Sequence, residues 1–384
     1  MPRIKPDIEI YAKIKVVGVG GSGGNTISRM VKSKMQGVDF AALNTDAQDL
    51  HNCLSLVKIQ VGKNTTRGLG AGMNAILGEQ AAEESREEIA EYLKGADMVF
   101  ATCGLGGGTG TGGISVVAEI ARELGALTIA VVTKPFSFEG AQRAKIAETG
   151  LAKLRDKVDS LIVIQNDKVL NMVDKKVTLI RSFSIIDDIL KQGVQGISDL
   201  IITPGLINVD FADIKAIMGN SGQALMGVGR SASANRAEEA AREALGSPLL
   251  DISIDGARGL LFNIAGGEDL SMAEVDKAAK IITQSIDSDA KVIFGVTQDD
   301  KLRKKEIKIT VIATGFDKEI QPTLFTPQKQ GDLSGFKKDE NLKNFDSFHA
   351  GEKNGKNKKN NNVEETLDEE GKEWEVPAFL RRKK

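Results

Sequence analysis

Apolar and polar positions follow two rhythms along this chain. Short apolar runs at Ile14 to Val19, Asp39 to Leu43, 97–102, 127–132 and 159–164 have the length and β-branched content of buried strands. Between them, the spacing predicts helices at Asn25 to Lys34, Glu79 to Lys94 (markedly acidic), 113–124 and 141–156. Strand and helix in turn predict a mostly parallel sheet with helices on both faces. Thr178 to Ile202 predicts one long helix, because Leu179, Phe183, Ile186, Leu190, Val194, Ile197 and Ile201 form a continuous apolar seam. Ile180, Ile185 and Ile189 widen that stripe, which predicts a helix buried between two bodies, and Pro204-Gly205 ends it. Beyond it, helices near 211–218, 235–245 and 271–285 and strands near 223–229, 258–265, 291–297 and 306–314 predict a second, separate α/β layer.

After Phe316 the pattern stops. Residues 317–368 are rich in Lys, Asp, Glu, Asn and Gly, and Lys356 to Asn362 is the extreme case. Such a stretch buries too little apolar surface to offset its ordering entropy, so a disordered linker is expected. A flexible coil of that length spans at least roughly 40 Å. Apolar residues return in Glu373 to Lys384, which holds the only tryptophan, Trp374. That return predicts a short docking motif that orders on a partner. The expected divisions are an N-terminal extension (1–11), a first α/β domain (12–177), the central helix (178–202), a second domain (203–316), the linker (317–368) and the terminal peptide (369–384).

Composition narrows the chemistry. The 384 residues carry a formal net charge of −2, which gives no reason to expect a nucleic-acid partner. Two cysteines (Cys53, Cys103) and two histidines (His51, His349) lack metal-ligand spacing, so zinc chemistry and a Cys–His nucleophile are disfavoured. Cys103 is expected to be a small residue beside a packed strand. No apolar run is long enough to cross a bilayer, and Met1 to Tyr11 has no signal-peptide pattern, so a cytoplasmic protein without direct membrane insertion is expected.

The densest chemical signal is Gly104 to Gly113, a glycine-rich loop between an apolar run and a helical stretch. Strand, glycine loop and helix bring backbone N–H groups and a helix N-terminus onto a phosphate. The loop lacks the Gly-Lys-Ser/Thr ending of a P-loop, and a flexible linker would not be bracketed by buried segments. A second loop, Gly18 to Gly23, fits G-x-G-x-x-G, with Asp39 and Asp46 near the spacing of a ribose-binding acid. One reading is therefore an NAD-dependent oxidoreductase. It leaves the second glycine loop and the scarcity of histidine unexplained, and a mononucleotide triphosphate wrapped by two loops fits better. A protein that binds nucleotide only to fold is the third reading. Asp210 and Asp213 lie three apart at the start of a helical stretch. They are either a cap and a first-turn acid or a catalytic pair. The nucleotide half has no obvious carboxylate placed to orient a water.

The run Gly106 to Gly112, GGGTGTG, resembles the signature of the tubulin/FtsZ superfamily of GTPases, and the order of the other motifs narrows the likeness to the FtsZ family of bacterial cell division. The resemblance runs from about Ile14 to Phe316 and resumes in the last dozen residues. It implies a Rossmann-like GTP-binding domain, a long central helix and a smaller GTPase-activating α/β domain. It also implies head-to-tail homopolymers, a cytokinetic ring at mid-cell, and GTP hydrolysis switched on by assembly. GTP or GDP would be the nucleotide, with Mg²⁺ held mainly through phosphates and water.

Residue by residue, the resemblance places Gly20, Gly21, Gly23, Gly24 and Asn25 in the first phosphate and sugar loop. Asn44, Thr45 and Asp46 fall beneath the nucleotide, and Gly70, Ala71 and Gly72 at the γ-phosphate. Gly106, Gly107, Gly108, Thr109, Gly110, Thr111 and Gly112 form the main phosphate loop, with Thr109 facing the phosphates. Pro135, Glu139 and Arg143 fall on the ribose side, and Asn166, Phe183 and Asp187 in the guanine pocket. Guanine chemistry agrees with that last set. A carboxylate accepts N1–H and N2–H₂ together, an amide serves O6 or N7, and a ring stacks, although Phe183 also fits the helix seam. Asn208, Asp210 and Asp213 match the catalytic loop, acting on the neighbouring subunit's GTP. Ser22 stands where many members carry glycine, a change expected to matter little. Trp374 to Lys384 resembles the peptide that binds membrane anchors and division regulators; its basic end is either a contact for an acidic partner or anionic lipid, or a solubilising end.

Overall fold

The computed structural model describes residues 12–171, 178–203, 205–247, 254, 256–284, 286–287, 289–299 and 302–316. The N-terminal extension, the linker, the terminal peptide, Pro204 and His349 lie outside the described residues.

The first half is a wound parallel sheet. In chain order it runs β1 (Ile14–Val19), α1 (Gly20–Lys32), β2 (Val38–Asn44), α2 (Ala47–Asn52), β3 (Val57–Gln60), α3 (Ala75–Glu84), α4 (Arg86–Leu93) and β4 (Met98–Gly104). It continues with α5 (Gly108–Glu123), β5 (Leu127–Lys134), α6 (Ala141–Arg155), β6 (Ser160–Gln165) and α7 (Asn166–Asn171). The strand order is β3-β2-β1-β4-β5-β6, all parallel. Val16, Phe100, Ile129 and Ile162 face one core, while Val17, Val99, Ala130 and Val132 face another. Both faces are buried, which is why these strands read as unbroken apolar runs. Cys103 is fully buried on β4, and burial pushes its thiol pKa up.

The stretch Glu79 to Lys94, expected as one helix, is two. Ser85 (φ −106°, ψ 19°) breaks it, and its Oγ accepts the Gly62 N–H at 3.3 Å. Glu84, at the end of α3, accepts hydrogen bonds from Asn64 and Thr65. A loop-binding task thus overrides helical continuity.

The rest comprises α8 (Leu179–Ile202), β7 (Gly205–Ile207), α9 (Phe211–Met218), β8 (Gly222–Ser231), α10 (Arg236–Leu245), β9 (Gly259–Gly266), α11 (Met272–Thr283), β10 (Lys291–Gln298) and β11 (Ile307–Thr314). Its strands do not form a separate layer. β6 pairs in parallel with β8, and one 11-stranded sheet continues as β8-β11-β9-β10-β7. All described residues fall in one compact unit. Periodicity shows which residues are buried but not which edge another strand will meet, so the join was invisible in the chain.

Helix α8 lies across that join. Ile186, Ile189, Leu190, Val194 and Ile197 are buried, as the seam predicted, whereas Ile201 is only half-buried and Leu200, outside the predicted seam, is buried. Phe183 departs from it, being 42% exposed. At Gly196 a Cβ would lie 2.7 Å from Thr310 Cγ2 of β11, and at Gly193 one would touch Val131 of β5 and Met226 of β8. The helix backbone therefore seats directly on both halves of the sheet. On the opposite face of the second half, α10 and α11 cover Leu260, Phe262, Ile309 and Val311. Arg236 clips those two helices, reaching Asp269 and Glu274 at 2.7 Å each.

Candidate nucleotide site and a distant acidic pair

The glycine loops meet at the carboxyl ends of β1, β4 and β5. Gly20 (φ 72°) lies so close to the main loop that a Cβ there would sit 2.9 Å from Gly110 N. The Gly108 N–H donates to Gly72 O at 2.6 Å, joining the main loop to the 70–72 loop. That second loop is clasped in turn by Ala47 N–H to Gly68 O and Gly70 N–H to Thr45 O. Gly106 (φ 102°) turns the chain, its N–H bonded to Thr111 Oγ1 at 2.9 Å. Gly107, the N-cap of α5, has open space where a Cβ would be and no side-chain cap bond. The Gly108 N–H is engaged by Gly72, but no side chain caps the rest of the first turn of α5, which presents a helix N-terminus to an anion.

Around this cradle the remaining predicted residues take definite roles. Thr109 Oγ1 pairs with Thr45 Oγ1 at 2.5 Å, so its hydroxyl is shared with the loop beneath. Asp46 caps α2, accepting the Gln48 and Asp49 N–H groups, and Asn44 donates to Asp49 at 2.7 Å. Gly21 lies over Asp49, Gly24 over Cys53, and Asn25 is exposed on a cleft lined with Gly20, Asn44 and Leu50. Ala71 is buried, Gly72 has a left-handed φ of 54°, and Gly23 packs on Gly18 and Thr102. Gly112 packs α5 closely against α3, a structural task inside the glycine signature. On the other side, Pro135 and Arg143 converge on Gly106, and Arg143 pairs with Glu139 at 2.7 Å.

A second pocket corner is built by β6, α7 and α8. Asn166 is 6% exposed, and its Oδ1 has no hydrogen-bond partner. An orphaned buried acceptor is costly unless a ligand or water meets it. The Phe183 ring stands perpendicular to that of Phe136, with centroids 5.5 Å apart, and stays exposed. Asp187 accepts from Thr26 Oγ1 at 3.1 Å and pairs with Arg29 Nε at 2.6 Å. Burial raises its pKa, and Arg29 opposes that shift. Thr26 and Arg29 were missed in the sequence. The available signal was their place on α1 one turn from Ser22 and Asn25, which puts them on the loop-facing side of the helix.

The acidic pair lies elsewhere. Asp210 is the N-cap residue of α9, but its side chain makes no cap bond. Asp210 and Asp213 are exposed, as is Asn208, whose Oδ1 accepts the Gly205 N–H at 2.7 Å. The flanking contacts locate them. Ile202, at the end of α8, packs on Gly37 just before β2. At the end of α9, the Met218 carbonyl accepts from Ser160 Oγ at 2.6 Å, at the start of β6. Both anchors are at the amino ends of strands that run parallel to β1 and β4, whose carboxyl ends carry the glycine loops. Helix α8 has 24 residues, and its rise from Asp187 to Ile202 at this end is about 22 Å. Asp210 and Asp213 therefore do not join the cradle of their own chain.

Among the described residues, no three His, Cys, Asp or Glu side chains cluster to hold a metal ion. No helix of the described residues is long and apolar enough to cross a membrane.

Comparison with known proteins places these features. Residues 13–174 match the model of the tubulin/FtsZ family GTPase domain, and residues 222–317 match the FtsZ family C-terminal domain. The structure is similar to the empty FtsZ dimer of M. jannaschii, with 47% identity, a TM-score of 0.77, and coverage of 80% of this chain and 89% of that one. A tryptophan-to-tyrosine mutant of the same M. jannaschii protein matches with equal identity and TM-score, over 80% of this chain and 92% of that one. CetZ2 from Haloferax volcanii, a GTPγS-bound protofilament, shares the fold at 21% identity and a TM-score of 0.67, over 78% of this chain and 92% of that one.

Proposed function

The chain belongs to the FtsZ family of the tubulin/FtsZ GTPases, and from that premise we propose that it assembles head to tail and hydrolyses GTP at the junction between subunits. One observation carries this reading: the cradle and the exposed acidic pair lie at opposite ends of the molecule. Stacking one end on the other brings Asp210 and Asp213 of one subunit to the γ-phosphate held by the next. Such a contact is heterologous and open, and it yields a filament.

Within the cradle, the α5 N-terminus and the Gly70 to Gly72 loop bind the phosphates, and Asn166, Phe183 and Asp187 hold guanine. Pro135, Glu139 and Arg143 line the ribose side. Asp210 and Asp213 polarise the attacking water, and Asn208 steadies the contact. Mg²⁺, when bound, would be held mainly through phosphate oxygens and water and would supply charge neutralisation there. Asp46 and Asp49 are carboxylates lying against the loops, which fits an ion needing one or two carboxylates at most.

Phosphate release with GTP is the test, followed against protein concentration alongside light scattering. The rate per molecule is expected to be low when dilute and to climb above the concentration where scattering appears. A rate per molecule that is flat across that range refutes the shared site.

At the level of the cell we propose a cytoplasmic cytokinetic ring, with residues 369–384 docking membrane anchors and division regulators. The family membership and the apolar return around Trp374 support this. Removal of 373–384 is expected to leave scattering and turnover intact and to abolish co-sedimentation with an anchor protein; lost assembly refutes that division of labour.

A further inference from the structure

Ser22 sits in the first turn of α1 among the glycines of the first loop, and it is exposed. Its side chain has a definite direction. A Cβ built on Gly104 would lie 2.7 Å from Ser22 Oγ and 3.4 Å from Thr133 Oγ1. Gly104 is not among the positive-φ glycines, so its backbone does not require glycine. What excludes a side chain there is chiefly the hydroxymethyl of Ser22.

The neighbours on either side fix what part of a nucleotide this hydroxyl faces. One turn along α1, Thr26 Oγ1 is 3.1 Å from the Ser22 carbonyl and 3.1 Å from Asp187 Oδ1 at the guanine corner. On the other side, Gly104 runs directly into the main phosphate loop. The ribose-side residues Pro135 and Arg143 approach that loop at Gly106 instead. Between a base at Asp187 and terminal phosphates at α5 lies the first phosphate of the chain. Resting on the guanine-nucleotide reading above, we propose that Ser22 donates a hydrogen bond to the α-phosphate, a specific contact that glycine at this position does not make.

The experiment measures the affinities of GTP, GDP, GMP and guanosine for the full chain, diluted below the scattering threshold, as wild type, Ser22→Ala and Ser22→Gly. Both variants are expected to weaken GTP, GDP and GMP by one common factor, roughly tenfold, and to leave guanosine unchanged. Apoprotein Tm should not move, because the side chain is exposed. Gly104→Ala pushes the hydroxymethyl aside and should reproduce the loss. Combined with Ser22→Gly it should add little, since the two changes remove one contact. Unchanged GMP affinity in Ser22→Ala, an equal loss for guanosine, or losses that simply add in the double variant would each overturn the proposal. A wild-type chain that binds no guanine nucleotide would instead overturn the reading it rests on.

Discussion

Arg29 and Asp187 are held between opposing demands. The proposed guanine recognition requires the ionised carboxylate, whereas burial favours the neutral acid and raises its pKa. The Arg29 guanidinium at 2.6 Å limits that rise. For the empty protein, an acid with a raised folded pKa contributes stability that is full below the ordinary value of 3.8 and is lost as pH rises through the folded pKa. For the bound protein the sign reverses, because protonation removes the acceptor. GDP affinity is therefore expected to fall on acidification at a higher pH than for an ordinary aspartate. Arg29→Met removes the opposing charge and should move that midpoint higher still. Titrating GDP binding from pH 7 downward in both proteins measures it; coincident profiles would show that Asp187 is not the acceptor. Asn166 Oδ1 adds a second residue-scale mark of the site. The sequence reading used that amide as a donor, while the atom left without a partner is its acceptor.

Between elements, the clip joining α10 to α11 makes a pH-dependent contribution of the opposite kind. Hydrogen bonds from Arg236, with lesser help from Ser271, lower the Glu274 pKa to about 2. A depressed carboxyl stabilises the fold above its unfolded pKa, and that stability is lost as pH falls from about 4.5 through about 2. Glu274→Gln is expected to lower the urea midpoint near neutrality and to match the wild type near pH 2; an equal deficit at both pH values would contradict the linkage. Elements of this size are also where the sequence was most and least legible. The long periodic stretches, α8 above all, were found because a seam repeated over several turns has few alternatives. The short α2, β3, α7 and β7 were not, since four to six residues hold too little periodicity, and β7 has only three. The break at Ser85 depends on a Gly62 N–H from another part of the chain, and the β6–β8 join on an edge that no local pattern marks. The glycine loops and acidic pair were visible by type and order. Their separation was not, because distance between motifs is set by the length and seating of α8.

For the molecule as a whole, two ends that are incomplete alone predict complementation between two inactive proteins. Gly107 has φ −96° and open space at its Cβ, so Gly107→Trp is compatible with the fold while filling the cradle. That variant keeps Asp210 and Asp213. Asp213→Ala keeps the cradle and loses the acid, and general-base catalysis of this kind is worth about 10²–10⁴-fold. Each alone should turn over GTP poorly, the first for want of bound nucleotide and the second for want of an oriented water. Mixed, a Gly107→Trp subunit can seat its intact acidic end on the loaded cradle of an Asp213→Ala subunit. Nothing can stack productively on its own blocked cradle, so it ends the filament there. Phosphate release should therefore appear in the mixture above the sum of its parts, while light scattering falls as Gly107→Trp is increased. A catalytic acid within the same chain as its nucleotide predicts a strictly additive mixture, because no subunit would then hold both a working cradle and a working acid. Rising turnover together with shortening polymers has no explanation in a self-sufficient monomer, and it follows directly from an acidic pair held at the far end of α8.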